Sequence, residues 1–308
     1  MGDLLKDKVA IVTGSGRGIG RAHAIAMVAQ GAKVVVNDPG VSVDGTGGDK
    51  SPADEVVAEI KAQGGEAVAN YDSVATSEGA SNLIKTAIDN FGRLDILVNN
   101  AGVFGAQPIS SITDEEWDKM IKVNLYGDFY CAREAIKIFS QQKSGRIINT
   151  SSTAGLGGSK GLATACHYAA AKEGIVGLTR ALAYEVESYG VTVNCIRPHA
   201  PTRWAAIPEN LERLVRQLGR EGYERRQAAV RHMTPEGVAP LVVFLASDAA
   251  DNVNGCIFDV LMGCVGIFRD PPYIEGTVWK EGNWTPEELV ELLPKTLTAG
   301  KIREFWKI

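Results

Sequence analysis

The chain has 308 residues, 45% of them hydrophobic and 22% charged, with a formal net charge of -5. This composition excludes a disordered or fibrous chain and provides the apolar mass for a large core. An acidic balance also lacks the broad basic field that a phosphate backbone needs, so nucleic acid is not an expected partner.

In chain order, MGDLLKDKVAIVTG has no basic region followed by a long apolar run, and it enters a strand pattern within a few residues. No secretory signal and no membrane association are therefore expected, and a cytoplasmic location is. The runs KVAIVTG from Lys8, AKVVVND from Ala32, EAVANYD from Glu66, LDILVNN from Leu94, GRIINTS from Gly145, VTVNCIRP from Val191 and CIFDVLM from Cys256 are nearly continuous in apolar residues. Such runs predict strands covered on both faces. After the first of them, RAHAIAMVAQG predicts a helix with Ala22, Ile25, Ala26 and Ala29 on its inner face and Gly31 as its stop. The stretch PGVSVDGTGGDKSPAD from Pro39 reads as a long surface loop, and PENLERLVRQLGREGYERR from Pro208 as a charged helix. Beyond Gly266 the chain reads as extended until Thr285 caps a helix with Pro286 in its first position and Glu287 and Glu288 in its first turn. Strands alternating with helices imply an α/β fold, a doubly wound parallel sheet of Rossmann type with right-handed crossovers. We expect one domain over residues 1–266 with a helical insert at about 203–235, then a tail over 267–308 that packs on its own or a neighbouring subunit. The five cysteines, Cys131, Cys166, Cys195, Cys256 and Cys264, are scattered, with no CxxC and no paired histidine spacing. A reducing compartment and no metal follow.

VAIVTGSGRGIGRAHAIA places Gly14, Gly18 and Gly20 between a buried strand and a helix. Glycines there let the backbone approach a pyrophosphate, and the helix start offers free N–H groups and a favourable dipole. Glycines also serve such turns sterically, but the flanking strand, helix and second strand favour dinucleotide binding. Asp38 closes the second strand about 20 residues further on, where a carboxylate accepts from an adenosine ribose and repels a 2′-phosphate. NAD is expected over NADP, although Arg17 beside the turn could pair with that phosphate.

In HYAAAKEGIVGLTRALAYE, Tyr168 and Lys172 are four apart on one helical face. An ammonium beside a phenol favours its ionised form, and such a tyrosine can exchange a proton with an alcohol or carbonyl. Alone, the pair is ordinary surface decoration. TGSGRGIG, NNAG at Asn99 to Gly102, Asn124 in KVNLYG, NTSS and YAAAK nevertheless follow one another in the order of the short-chain dehydrogenases/reductases, which the chain resembles over about residues 5–263.

That resemblance implies Tyr168 as general acid/base, Lys172 beside it and on the nicotinamide ribose, a serine on the substrate oxygen, and Asn124 completing a proton relay through water. It also implies that Gly14, Arg17, Gly18, Ile19, Gly20 and Asp38 hold the adenosine and pyrophosphate end. Asp72, Ser73 and Val74 would line the adenine pocket, Asn99, Ala101 and Gly102 the cofactor wall, Pro198 the turn near the nicotinamide, and Thr202 would bond the cofactor carboxamide or pyrophosphate. Two departures stand out. Ser152, taken over Ser151 as the substrate-binding serine, is 16 residues from Tyr168, about three more than the family pattern. His199 replaces the glycine of the usual Pro-Gly pair after the sixth strand, and is read as a loop residue rather than a second base. Residues 5–102 and the Pro-His-Ala turn resemble the (3R)-hydroxyacyl-CoA dehydrogenase module of peroxisomal multifunctional enzymes and bacterial relatives. The expected activity is then NAD-dependent oxidation of a secondary alcohol on a 3-hydroxyacyl-CoA or hydroxysteroid by a homodimer or homotetramer. An NADPH-dependent carbonyl reductase and a non-catalytic NAD-binding sensor are the alternatives. Trp204 and Ile207 could form a lid, and Arg213, Arg216, Arg220, Arg225 and Arg226 could meet an anionic CoA.

Overall fold

The computed structural model describes residues 2–41, 47–156, 165–200, 233–261 and 264–268, with 215, 219–221, 224, 279–280 and 285–296. All seven expected strands form: β1 (Val9–Thr13), β2 (Lys33–Asn37), β3 (Ala67–Asn70), β4 (Ile96–Asn99), β5 (Gly145–Thr150), β6 (Val191–Pro198) and β7 (Ile257–Leu261). They are parallel, and an eighth strand, β8 (Cys264–Ile267), adds to the edge antiparallel to β7, giving the order β3-β2-β1-β4-β5-β6-β7-β8. The sheet is therefore mixed rather than wholly parallel. β8 carried no buried-strand signal because all four of its residues are exposed.

Alternate residues of each strand feed opposite cores, as the pleat requires. Ala10, Val12, Val34 and Val36 face α1 (Gly18–Ala29) and α2 (Ser51–Ala62), whereas Val9, Ile11, Val35 and Leu97 face α3 (Ser77–Phe91). On that second face, after α4 (Asp114–Ile121), come α5 (Gly127–Gln142) and, beyond β5, α6 (Cys166–Val186); α7 (Ala239–Ala246) returns to the first. Burial on both faces is the physical reason that the strand sequences are apolar without alternation.

Two helical expectations need correction. The loop expected from Pro39 ends earlier than Asp54, because Ser51 already opens α2, with Pro52 in its first turn, where a missing N–H costs no helical bond. On α1 the buried residues are Gly20, Ala22, His23, Ala24, Met27 and Val28; Ile25 and Ala26 are partly buried, and Ala29 is exposed. The inner face is broader and rotated because α1 is covered by α7 as well as by the sheet. Gly31 does stop the helix, with φ of 94°.

Contacts divide the chain into two units, Met1–Phe268 and Arg269–Ile308. In the second, α8 (Pro286–Leu292) begins as expected: Thr285 Oγ1 accepts from Glu288 N at 3.3 Å and Glu288 Oε2 accepts from Thr285 N at 2.7 Å. Within the insert expected at 203–235, residues 215, 219–221 and 224 are helical and the rest up to 232 lies outside the described residues.

His23 is fully buried, with neither ring nitrogen partnered among the described residues, and burial lowers its pKa from 6.5 to about 3. The unfolded chain then binds the extra proton between those values, so stability is complete above pH 6.5 and is lost as pH falls towards 3. By pH 5 the loss from this one residue is about 2 kcal/mol. Denaturant titrations of wild type and His23→Leu between pH 7.5 and 4.5 should show the variant with the flatter pH dependence; equal slopes would refute the assignment.

Candidate active site

The strand order reverses between β1 and β4, and connections from their carboxyl ends diverge there to leave a crevice. Thr13 and Asn100 hold its floor together. Thr13 Oγ1 accepts from Asn100 N and Ala101 N, both at 2.9 Å, while Asn100 Nδ2 donates to Thr13 O at 2.9 Å and Gly14 O at 3.2 Å. Gly14, with φ of 62°, lies so close to this segment that a Cβ on it would stand 2.8 Å from Ala101 Cα. A Cβ on Gly20 would meet Gly14 O at 2.3 Å, so both positions need glycine. α1 begins with no side-chain cap and no acid in its first turn. Its opening N–H groups are consequently not taken up by a side-chain cap, and the positive end of the helix dipole lies at this turn. Ile19 is partly buried and fastens this turn to the core.

Asp38 sits at the end of β2, where Gly16 N donates to Oδ2 at 2.9 Å and Gly40 N to Oδ1 at 2.8 Å. Both carboxylate oxygens are thereby fixed while keeping lone pairs for a further donor. Beside them is a cleft of about 410 Å³ lined by Gly16, Arg17, Gly18, Arg21, Glu55, Val56 and Glu59. Arg21 is neutralised by Glu59 at 2.6 Å, whereas Arg17 is exposed. The Asp72 carboxylate accepts from Asn70 Nδ2 at 2.8 Å and Asn82 Nδ2 at 3.2 Å. Ser73 Oγ accepts from Ala75 N, so Asp72 and Ser73 shape the turn after β3, while the cap of α3 is Thr76. Val74 is buried against Gly127.

Further along the crevice, Asn99 Nδ2 donates to Asn149 Oδ1 at 2.9 Å and Asp128 O at 3.3 Å. Asn124 lies in a π-helical turn, Lys122–Tyr126, between α4 and α5. Its Nδ2 donates to Val103 O and Met120 O, both at 3.0 Å, which leaves Oδ1 buried and without a partner among the described residues. A Cβ on Gly102 would stand 2.7 Å from that Oδ1 and 3.7 Å from Lys172 Nζ, so the two polar side chains flank one backbone point. Lys172 is buried; its Nζ donates to Thr150 O at 2.7 Å and lies 5.8 Å from the centre of the Tyr168 ring. Phe104 meets Tyr168 edge-on at 4.8 Å, which braces the phenol.

The two serines differ in what they bind. Ser151 Oγ is buried and donates to Lys172 O at 2.7 Å, so its hydroxyl serves the fold. Ser152 is partly exposed, and its Oγ accepts from Ala154 N at 3.2 Å, leaving the proton free to turn outwards. Pro198 ends β6 opposite Val260. His199 Nε2 lies 3.1 Å from both oxygens of Asp259. Thr202, Trp204, Ile207, Arg213, Arg216, Arg225 and Arg226 lie outside the described residues, and Arg220 is exposed and paired with Glu224.

Sequence reasoning missed four contributors. Thr13 and Asn100 sit inside the quoted motifs and were legible as a strand end and the second asparagine of NNAG. Asp128 was not: it is buried in α5, where burial holds its carboxyl well above the usual carboxylate range, partly opposed by the charge of Lys172. His167, beside Tyr168, is buried with its pKa lowered by that burial, partly opposed by Glu116.

The short chain dehydrogenase family model matches residues 8–202. A short-chain type dehydrogenase/reductase of Mycobacterium tuberculosis is 43% identical over 254 residues, covering 81% of each chain. A hydroxyacyl-CoA dehydrogenase of the same organism is 36% identical over 298 residues, 94% of this chain and 88% of that one. Peroxisomal multifunctional enzyme type 2 of Mus musculus is 42% identical over 302 residues, but the match spans 97% of this chain and only 36% of that protein. The crystal structure of a short chain dehydrogenase from Mycobacterium avium is 40% identical with a TM-score of 0.79, covering 96% of each chain. A sheet reversing at a glycine turn, with tyrosine, lysine and asparagine gathered at its mouth, thus comes with family-wide sequence agreement, and the chain belongs to the short-chain dehydrogenase/reductase family of nicotinamide-dependent oxidoreductases acting on CH–OH groups.

Proposed function

We propose that the protein oxidises a secondary alcohol to a ketone with NAD, on a bulky hydrophobic substrate such as a 3-hydroxyacyl-CoA or a hydroxysteroid. The observation that carries the chemistry is the convergence of Asn124 Oδ1 and Lys172 Nζ on Gly102, with the Tyr168 ring beside the lysine. For the substrate, the support is the likeness to the hydroxyacyl-CoA dehydrogenase of Mycobacterium tuberculosis, of which 88% is covered by the match.

The residues fit a nicotinamide dinucleotide. The uncapped start of α1 suits its pyrophosphate, and Asp38 suits an adenosine ribose; Asn99 Oδ1 and Asn124 Oδ1, without partners among the described residues, leave acceptors where the nicotinamide half would lie. When bound, the cofactor supplies hydride acceptance; the chain supplies position and proton transfer. In this reading Tyr168 takes the hydroxyl proton of the alcohol while Ser152 Oγ holds the same oxygen. Lys172, with its ammonium fixed by Thr150 O beside the Tyr168 ring, would hold the nicotinamide ribose. Asn124 Oδ1 accepts from a water that passes the proton outwards.

NAD is favoured over NADP because Asp38 is held rigidly and the neighbouring cleft carries Glu55 and Glu59, with Arg21 already paired. The exposed Arg17 favours the second reading, an NADPH-dependent reductase of a small ketone. All five cysteines are free, which supports a reducing, cytoplasmic setting.

NADH formation across hydroxyacyl-CoAs, hydroxysteroids and simple aryl or terpene alcohols tests the substrate class: turnover should be highest on the first two, and a preference for small alcohols would overturn it. Tyr168→Phe should lower kcat by about 10² to 10⁴-fold, the range of general acid/base catalysis, with the nucleotide Kd unchanged. Retained turnover would remove Tyr168 from the chemistry. Asp38→Ala should raise NADP use relative to NAD by roughly tenfold, equivalent to about 1.4 kcal/mol of relieved repulsion; an unchanged ratio of kcat/KM values would exclude Asp38 as the selector.

A further inference from the structure

Arg197 is a charged residue on β6, nearly buried, in the strand that runs beside the one carrying Ser151 and Ser152 at its end. Each of its nitrogens is directed at an acceptor. Nε donates to Ser152 O at 2.8 Å, one Nη to Thr153 O at 3.2 Å, and the other lies 3.5 Å from Asp259 Oδ1 on β7. The guanidinium is stacked 4.4 Å from the centre of the Phe268 ring. Asp259 in turn is gripped by His199 Nε2 through both oxygens at 3.1 Å, and His199 N donates to Val260 O at 2.9 Å. Lysine could not replace this fork, because its point charge cannot serve two carbonyls and a carboxylate in fixed directions at once.

We infer that Arg197, oriented by Asp259, is a positioning residue that fixes where the Ser152 hydroxyl meets the substrate oxygen. Two carbonyls in succession, those of Ser152 and Thr153, are tied to a rigid central strand. The same turn is closed by Ala154 N donating to Ser152 Oγ and Gly155 N donating to Ser152 O at 3.0 Å. The clamp therefore acts on the backbone that carries the hydroxyl and on the amide that holds it. It also explains why the 16 residues from Ser152 to Tyr168 need not blur the site: the serine is located by β6 and β7, not by the loop that follows it.

The inference rests on the role proposed for Ser152, and its test has one arm that does not. Hydrogen–deuterium exchange of wild type, Arg197→Met, Arg197→Lys and Asp259→Asn should show Ala154 and Gly155 exchanging at least tenfold faster in Arg197→Met, with intermediate acceleration in the other two. In steady-state kinetics, Arg197→Met should lower kcat/KM for the alcohol tenfold or more, with the nucleotide Kd within twofold of wild type and partial recovery in Arg197→Lys. In a Ser152→Ala background the same change should cost less than threefold, because the effect passes through Ser152. If Arg197→Met does not fold, Asp259→Asn carries both arms. Unchanged exchange, or an equal loss of activity with and without Ser152, overturns the inference. A wild-type protein that oxidises no alcohol overturns the functional reading instead, and exchange at Ala154 and Gly155 still decides whether Arg197 holds the turn.

Discussion

The tie between Thr13 and Asn100 is the contact on which the rest of the site depends. Parallel strands all end at the same edge, so the chemistry of this fold collects there. At the reversal between β1 and β4 no crossover helix covers the gap, and a crevice results. Four hydrogen bonds from Thr13 and Asn100 keep its two rims at a fixed separation. Gly14 and Gly20 then bring backbone against backbone without side chains between, which sets the start of α1 over the crevice. The glycine turn and the Asn99 to Gly102 segment are thus parts of one rigid piece.

The second constraint is electrostatic. Burying an ammonium is costly unless it is paired and hydrogen-bonded. Lys172 meets that demand with Thr150 O at 2.7 Å, and its charge partly opposes the upward shift that burial imposes on the carboxyl of Asp128. The side chain is consequently not free to wander, and a lysine four residues from Tyr168 becomes a fixed neighbour of the phenol. Asn124 is placed by a different device. The wide π turn lets its amide reach both Met120 O and Val103 O, and this leaves Oδ1 turned to the site. Such turns interrupt the regular ladder and are found most often where a helix carries function.

Much of this was legible in the chain itself. Strands buried on both faces advertise themselves by continuous apolar runs, so β1 to β7 could be read directly. The spacing of Tyr168 and Lys172 is a property of any helix. What could not be read were contacts whose partners are remote in sequence. Arg197 is 45 residues from Ser152 and 62 from Asp259, and nothing local distinguishes it from a surface arginine. Asp128 is similar: in an isolated helix it would be solvent-facing, and only the packing of α5 makes it an interior group. The exposed residues of β8 lack any pattern, because an edge strand of four residues has no second face to bury. On α1 the inner face was misjudged for the converse reason, since α7 lies 210 residues further along and covers a side that periodicity alone assigns to solvent.

The pair Ser151 and Ser152 shows how the structure separates neighbours of identical chemistry. Successive residues leaving a strand point to opposite sides. Ser151 turns inwards, where an unpaired hydroxyl would be penalised, and its Oγ is taken up by Lys172 O. That bond ties the strand end to α6 one turn beyond Tyr168. Ser152 is partly exposed, with its Oγ held by Ala154 N and its carbonyl fixed by Arg197. The segment is then gripped a third time at Leu156, whose N–H donates to Glu173 Oε2 while its backbone takes the left-handed conformation at φ of 71°, a strained choice for leucine. Three anchors within six residues, two of them on α6 itself, fix this strand end relative to the helix that carries Tyr168. The strand end that carries Ser152 is thereby held by contacts to α6 and β6, independently of the number of residues that separate it from Tyr168.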